Sequence, residues 1–104
     1  MEKVLIDLFV VPDESMAAFV EQTREVQRFV RALPGFVEGY FYEKKAGDNR
    51  YNVLTLAVWK NEAAFENAKQ AVADEFRKQD FDRQAFIKKL NIEVTRSVYD
   101  RQPY

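Results

Sequence analysis

The sequence contains no cysteine and no histidine. A disulfide, an iron–sulfur or Cys/His zinc site, a Ser-His triad and a histidine-ligated haem are therefore excluded. Its glycines, at positions 35, 39 and 47, are too few and too scattered for a phosphate-binding loop or a dinucleotide fingerprint. We expect no haem, flavin or transition-metal cofactor, although oxygen ligands could still hold Mg²⁺ or Ca²⁺. Carboxylates, and strongly perturbed lysines or tyrosines, remain for chemistry near neutral pH.

Charge of either sign is not concentrated along the chain. The 16 basic and 17 acidic residues are intermixed and sum to a net charge of −1. Nucleic acids and anionic membranes bind basic stripes, so we expect neither as a partner. The apolar run Val4–Val11 contains Asp7 and is too short for a signal peptide or a membrane span, which favours a cytoplasmic location.

The 104 residues, 47% of them apolar, predict one globular domain over residues 1–104. Runs of β-branched and aromatic residues predict strands, and apolar residues at three- and four-residue spacing predict helices. The predicted strands are Val4–Val11, Phe36–Lys44, Tyr51–Trp59 and Ile92–Val98. The predicted helices are Met16–Leu33 with Asp13 or Ser15 as cap, a second helix after the cap residue Asn61, and a short helix within Phe81–Leu90.

This order of elements predicts an α+β, ferredoxin-like split βαβ fold, with a four-stranded antiparallel sheet and helices on one face. The first strand is apolar on both of its faces, and the third strand repeats the pattern. A sheet that is wet on one side would alternate apolar and polar residues instead. Two main helices cover only one face, so we expect a homodimer in which a second copy of the sheet covers the other.

Two segments resemble the antibiotic biosynthesis monooxygenase family. The first is Leu33–Phe36 (LPGF), at the junction of the first helix and the second strand, and the second is Ala57–Phe65 (AVWKNEAAF). The second segment is the more specific, because a strand-end tryptophan stands six residues before an aromatic residue on the next helix. The resemblance covers nearly the whole chain. It implies a dimeric α+β barrel with a substrate pocket between the sheet and the helices.

The resemblance also implies an activity. Members of the family oxidise polycyclic phenols to quinones without a cofactor, or break down haem oxidatively. The haem-degrading branch has a helix histidine and a strand asparagine, whereas this chain has no histidine and carries Asp7 at the matching strand position. The quinone-forming branch is matched at Trp59, although Phe65 replaces its helix tyrosine and Thr55 its strand asparagine. The departures from the haem-degrading branch disfavour haem breakdown.

Asp7 is the strongest candidate for a catalytic residue. Its neighbours along the strand are apolar, and a carboxylate buried among them is costly to ionise unless it has a partner. Such an environment favours a general base. The alternative is a structural ion pair, for example with Arg96, which could instead bind an anionic group of a substrate.

Trp59 is the second candidate for a catalytic residue, and Thr55, Phe65 and Tyr40, with Arg96, are candidates for substrate binding. Trp59 could stack on an aromatic ring, with Thr55 as a hydrogen-bonding neighbour on the same strand face. Phe65 belongs to an apolar helix stripe that forms the core or a pocket wall. Tyr40 could donate its phenol hydrogen to a substrate oxygen. The structural alternatives are core packing for Trp59 and a position at the sheet rim or dimer contact for Tyr40.

These residues support two hypotheses. In the first, the protein is a cofactor-independent monooxygenase of a small aromatic or phenolic compound, with Asp7 accepting the phenol proton and Trp59 aligning the ring. In the second, it is a non-catalytic dimer that binds a small molecule or has a structural role. A cavity that holds Asp7 and Trp59 would favour the first hypothesis. A filled core with Asp7 in a salt bridge would favour the second.

Overall fold

Four strands and three helices follow one another in the predicted order. The computed structural model describes residues 1–104. The strands are β1 (Lys3–Val10), β2 (Phe36–Glu43), β3 (Val53–Trp59) and β4 (Glu93–Asp100), and the helices are α1 (Met16–Arg31), α2 (Glu62–Lys78) and α3 (Arg83–Lys89). All strand pairs are antiparallel, and the order across the sheet is β2-β3-β1-β4. The predicted ferredoxin-like α+β fold is confirmed.

Local hydrogen bonds set the ends of the helices. The side chain of Asn61 accepts a hydrogen bond from the backbone N–H of Ala64 at 2.9 Å, which confirms the predicted cap of α2. Ser15 occupies the predicted N-cap position of α1, but the expected capping hydrogen bond is absent, because neither Asp13 nor Ser15 makes one. The Ser15 hydroxyl instead donates to the carbonyl of Leu90 at 2.7 Å, so it ties the start of α1 to the end of α3.

The helices cover one face of the sheet with two separate apolar clusters. One cluster consists of Phe9, Val11, Phe19, Val53 and Ile92. The other consists of Trp59, Phe65 and Ala68. Phe9 and Val53 pair at one end of this face and Trp59 lies at the other end, so the middle of the sheet lies between the two clusters.

A close approach of two elements fixes the second cluster. Gly35 has a φ of +82°, and a Cβ atom placed on it would lie 2.3 Å from the Cβ of Ala64. Only glycine combines that backbone conformation with the space available. The carbonyl of Gly35 accepts a hydrogen bond from Lys60 N–H at 2.8 Å. The start of β2 is thereby held against the start of α2.

The opposite face of the sheet carries no helix. Side chains alternate along a strand, so the residues between those under the helices point to this open face. On β1 and β3 it presents half-buried apolar residues, namely Ile6, Leu8, Leu54 and Leu56. On β2 it presents Tyr40 and Tyr42, which are 45% and 51% exposed. The prediction that the first and third strands are apolar on both faces is confirmed for the open face.

Candidate active-site cavity

A row of side chains crosses the middle of the sheet beneath the helices. The strand register places Asp7 opposite Thr55 and Arg96, and Thr55 opposite Phe41. Directly paired residues in antiparallel strands point to the same face. The four side chains therefore lie side by side between the two apolar clusters.

Asp7 and Arg96 form a two-pronged ion pair. Arg96 Nε donates to Asp7 Oδ1 at 2.8 Å, and Arg96 Nη2 donates to Oδ2 at 2.9 Å. The side chain of Asp7 is 7% exposed, whereas that of Arg96 is 56% exposed. The hydrogen bond to Asp7 raises the pKa of Arg96, outweighing the opposing effect of its partial burial. The structural ion pair considered from the sequence is thus present.

A cavity of about 490 Å³ lies between the sheet and the helices. Ligand sites commonly measure about 300–1,000 Å³ and are mostly apolar with a few polar groups. This cavity fits that description, since 15 of its 25 lining residues are hydrophobic. Its walls come from α1, α2 and the strands, and Arg83 of α3 reaches it as well. The chain therefore has room for a small aromatic molecule beside the Asp7–Arg96 pair.

Five of the predicted site residues lie together on this cavity. They are Asp7, Thr55, Trp59, Phe65 and Arg96. Trp59 and Phe65 are also core residues, because they are only 2% and 7% exposed. The ring of Trp59 packs edge-on against that of Phe36, with 5.4 Å between the ring centroids. Trp59 therefore combines a cavity wall with the core packing considered as its alternative.

Tyr40 is the predicted site residue whose ring does not join the others. Its neighbour Phe41 packs against Phe19 of α1, with 6.1 Å between ring centroids, so Phe41 faces the helices. Alternation along β2 then puts the Tyr40 ring on the open face. There it stacks on Tyr42 at 5.9 Å. The strand at Tyr40 borders the cavity, but the phenol lies outside it, which corrects the predicted substrate contact and leaves the alternative position on the outside of the sheet.

Sequence reasoning missed Arg83 and Arg24. Arg83, the first residue of α3, lines the cavity beside Arg96. Burial lowers the pKa of Arg83, repulsion from Arg96 lowers it further, and Asp7 opposes both effects. Arg24 lies over the ring of Phe41, with its Cζ 4.8 Å from the ring centroid. No pattern in the sequence points to Arg83, because its position depends on how a short helix packs over β4.

The carboxylates of the chain are dispersed in space as well as in sequence. No three Asp, Glu, His or Cys side chains lie together as potential metal ligands. None of the helices combines the length and the apolar character that a membrane span requires.

These observations define a ferredoxin-like domain with a ligand-sized cavity between its sheet and its helices. The chain belongs to the antibiotic biosynthesis monooxygenase family, because the sequence profile of that family matches residues 3–79. No curated protein matches the chain by sequence.

Solved structures share the fold over nearly the whole chain. SnoaB, a cofactor-independent oxygenase from Streptomyces nogalater, is 18% identical, with 99% of this chain and 95% of that chain covered and a TM-score of 0.74. Rv0793 from Mycobacterium tuberculosis is 14% identical, with 100% and 98% covered and a TM-score of 0.74. A conserved protein from Methanosarcina mazei Go1 is 16% identical, with 97% and 92% covered and a TM-score of 0.72. At these identities the likeness establishes the fold.

Proposed function

We propose that this protein is a cofactor-independent monooxygenase that oxidises a small aromatic or phenolic molecule in the cavity between sheet and helices. The observation that carries the proposal is the largely apolar cavity of about 490 Å³ whose polar groups include Asp7, Arg96 and Thr55. Membership of the monooxygenase family supports the class of reaction. The same fold in SnoaB, a cofactor-independent oxygenase, supports a reaction that needs no cofactor.

The polar row supplies the groups that such a reaction needs. In the proposed reaction the carboxylate of Asp7 accepts the phenol proton, which leaves an electron-rich phenolate in the cavity. Arg96, held by Asp7, stabilises the negative charge that develops, and the hydroxyl of Thr55 can donate to the phenolate oxygen. Trp59 and Phe65 form the apolar wall for the ring. A low-dielectric wall strengthens these electrostatic interactions.

The overall reaction balances without a reductant. A ring C–H bond of the phenol is replaced by C=O, the phenol becomes the second carbonyl of a quinone, and O₂ supplies one oxygen atom to the ring. The other oxygen atom leaves as water, with both hydrogens coming from the substrate. All the electrons come from the aromatic ring, so the protein has only to bind, deprotonate and orient it.

Turnover of 1-naphthol to 1,4-naphthoquinone tests the proposal. We expect the purified protein in air, with no added cofactor, to form the quinone with one oxygen atom from ¹⁸O₂. Asp7→Asn keeps the shape of the side chain but cannot take the proton, so it should lower kcat at least about a hundredfold and leave binding nearly intact. Trp59→Ala should instead weaken binding. Asp48→Asn, in the exposed loop between β2 and β3, is the matched control and should keep the parental rate.

Two results would contradict this proposal. Asp7→Asn turning over naphthol at the parental rate would reject Asp7 as the base. The oxygenase reaction would be rejected if the protein binds naphthol, anthrone and hydroxylated naphthalenes but oxidises none of them.

The second candidate is a non-catalytic dimer that binds a small molecule or has a structural role. The observation that favours it is the ion pair itself, because both carboxylate oxygens of Asp7 already accept hydrogen bonds from Arg96. In that case the parent should bind naphthol without turning it over, and Asp7→Asn should change only the melting temperature. The naphthol experiments distinguish the two candidates.

We also propose that a second copy of the chain covers the open face and forms a dimeric α+β barrel. Ile6, Leu8, Leu54 and Leu56 form an apolar surface there, and apolar patches of a sheet are ordinarily buried against another layer. Closed two-fold symmetry would bring the same face of each copy together. The polar edge of the face, with Arg101 paired to Glu2 at 3.0 Å, fits the rim of such an interface.

A further inference from the structure

The charged side chains that line the cavity are almost all basic. They comprise one carboxylate, Asp7, and five cations, Arg24, Arg31, Lys69, Arg83 and Arg96. The chain as a whole has a net charge of −1, so the excess of positive charge is a property of the cavity. Low-dielectric walls focus such a field and favour an anionic ligand.

Most of these cations already have partners. Arg96 is bound by Asp7. The Nζ of Lys69 is 3.4 Å from a Glu66 carboxylate oxygen and lies over the ring of Phe65. Arg24 donates to Gln27 Oε1 at 3.3 Å and lies over Phe41. Arg31 also lines the cavity, but it is exposed to solvent at the end of α1.

Arg83 differs from the other four cations. It is half-buried on the cavity wall and makes no side-chain hydrogen bond or ion pair within the chain. The one carboxylate nearby, Asp7, has both oxygens engaged by Arg96. No buried polar side-chain atom lacks a hydrogen-bond partner, so the guanidinium nitrogens of Arg83 are accessible to solvent, and the residue lines the cavity. A guanidinium in this position offers a planar set of donors to a ligand.

We propose that the cavity binds an aromatic carboxylate, with the carboxylate on Arg83 and the ring against the apolar walls. After the Asp7–Arg96 pair is formed, Arg83 is the one half-buried guanidinium on the cavity wall without a partner, which matches the single charge and the two oxygens of a carboxylate. The predominance of hydrophobic residues in the lining matches an aromatic body. The inference rests on the proposed function in taking this ligand to be the substrate, but the binding itself requires no turnover.

A matched pair of probes tests the anion site directly. 2-Naphthoate and 2-naphthamide have nearly the same shape and differ in charge, and neither carries the phenol that the proposed oxidation requires. We expect isothermal titration calorimetry at pH 7 to show 2-naphthoate binding at least about tenfold more tightly than 2-naphthamide. One charge-assisted hydrogen-bonded pair is enough to produce a difference in affinity of this size. Arg83→Gln should remove that preference and leave the affinity for 2-naphthamide unchanged.

Two further variants make the result specific to Arg83. Arg28→Gln removes the same charge from an exposed position of α1 outside the cavity, so it should keep the parental preference. Arg83→Lys keeps the charge but loses the planar donor set, so it should keep only part of the preference. It also serves as the working variant if Arg83→Gln does not fold.

The inference is overturned if the parent binds both probes equally or binds neither of them. It is also overturned if Arg83→Gln, or Arg83→Lys in its place, keeps the full preference for 2-naphthoate. Preference for 2-naphthoate with no oxidation of naphthol would support the anion site and reject the oxygenase reaction. Oxidation of naphthol without a preference for 2-naphthoate would support the oxygenase reaction and reject the anion site.

Discussion

The two partners of the Asp7–Arg96 pair differ in their exposure to solvent. Asp7 is almost completely buried, whereas the side chain of Arg96 is 56% exposed. Substituting either partner removes the same two-pronged ion pair. What is left behind is different, because water can solvate a half-exposed guanidinium but not a buried carboxylate.

We therefore predict unequal effects of Asp7→Asn and Arg96→Gln on stability. Asp7→Asn should lower the free energy of unfolding by about 1 kcal/mol, since Arg96 gains water in place of its partner. Arg96→Gln should lower the free energy of unfolding by about 2–3 kcal/mol. This is less than the full cost of an unpaired buried charge, because water can reach the place of the half-exposed Arg96 side chain and the guanidinium of Arg83 lies near the Asp7 carboxylate. Urea unfolding of the variants at one protein concentration measures both values. Equal effects, or the reverse order, would contradict this account of the pair.

At the scale of single residues, the sequence predicts part of the site. Asp7 is recognisable because a carboxylate interrupts an apolar strand, and Arg96 because it alternates with valines on β4. Their pairing depends on β1 lying beside β4, which the fold places there. Arg83 cannot be found in this way, since its role depends on the packing of a short helix. The sequence also does not predict which face of the sheet Tyr40 occupies, because it does not reveal the bulge between Phe36 and Glu38.

At the scale of elements, the two segments that resemble the family touch each other. Gly35, in the first segment, lies against Ala64 and Lys60 of the second. Phe36 and Trp59 bring the same two segments together through their rings. The contact sets the distance between β2 and α2 at one end of the cavity. Periodicity predicts the helices and strands, but it contains no information on this contact between distant segments.

Gly35→Ala tests the contact between β2 and α2. We predict a loss of about 2–4 kcal/mol in the free energy of unfolding, from the positive φ and from the overlap with the Ala64 methyl group. Adding Ala64→Gly removes the overlap but not the backbone cost. Chemical denaturation of the parent, both single variants and the double variant should therefore give a favourable coupling of at least about 1 kcal/mol. Additive effects would show that β2 and α2 are not held together at this point.

At the scale of the whole molecule, the helices leave one face of the sheet uncovered. Both faces of β1 and β3 are apolar, and the chain supplies helices for one of them. Alternation identifies which residues form the uncovered surface, but it carries no information on what binds there. A second copy is the proposed cover because the surface is a sheet of low polarity, and two such sheets can stack face to face.

A charge in the middle of the open face tests the homodimer. Ile6 lies between Leu56 of β3 and Ser97 of β4. Two-fold symmetry places the substitution Ile6→Asp in the interface twice, and each buried carboxylate costs at least about 2 kcal/mol. The dimer dissociation constant should then rise roughly a thousandfold. Sedimentation equilibrium at micromolar concentration should show a dimer for the parent and a folded or partly unfolded monomer for Ile6→Asp. Val98→Asp, on the other face of the sheet and 49% exposed, should remain dimeric. A monomeric parent, or a stable Ile6→Asp dimer, would refute the proposed interface.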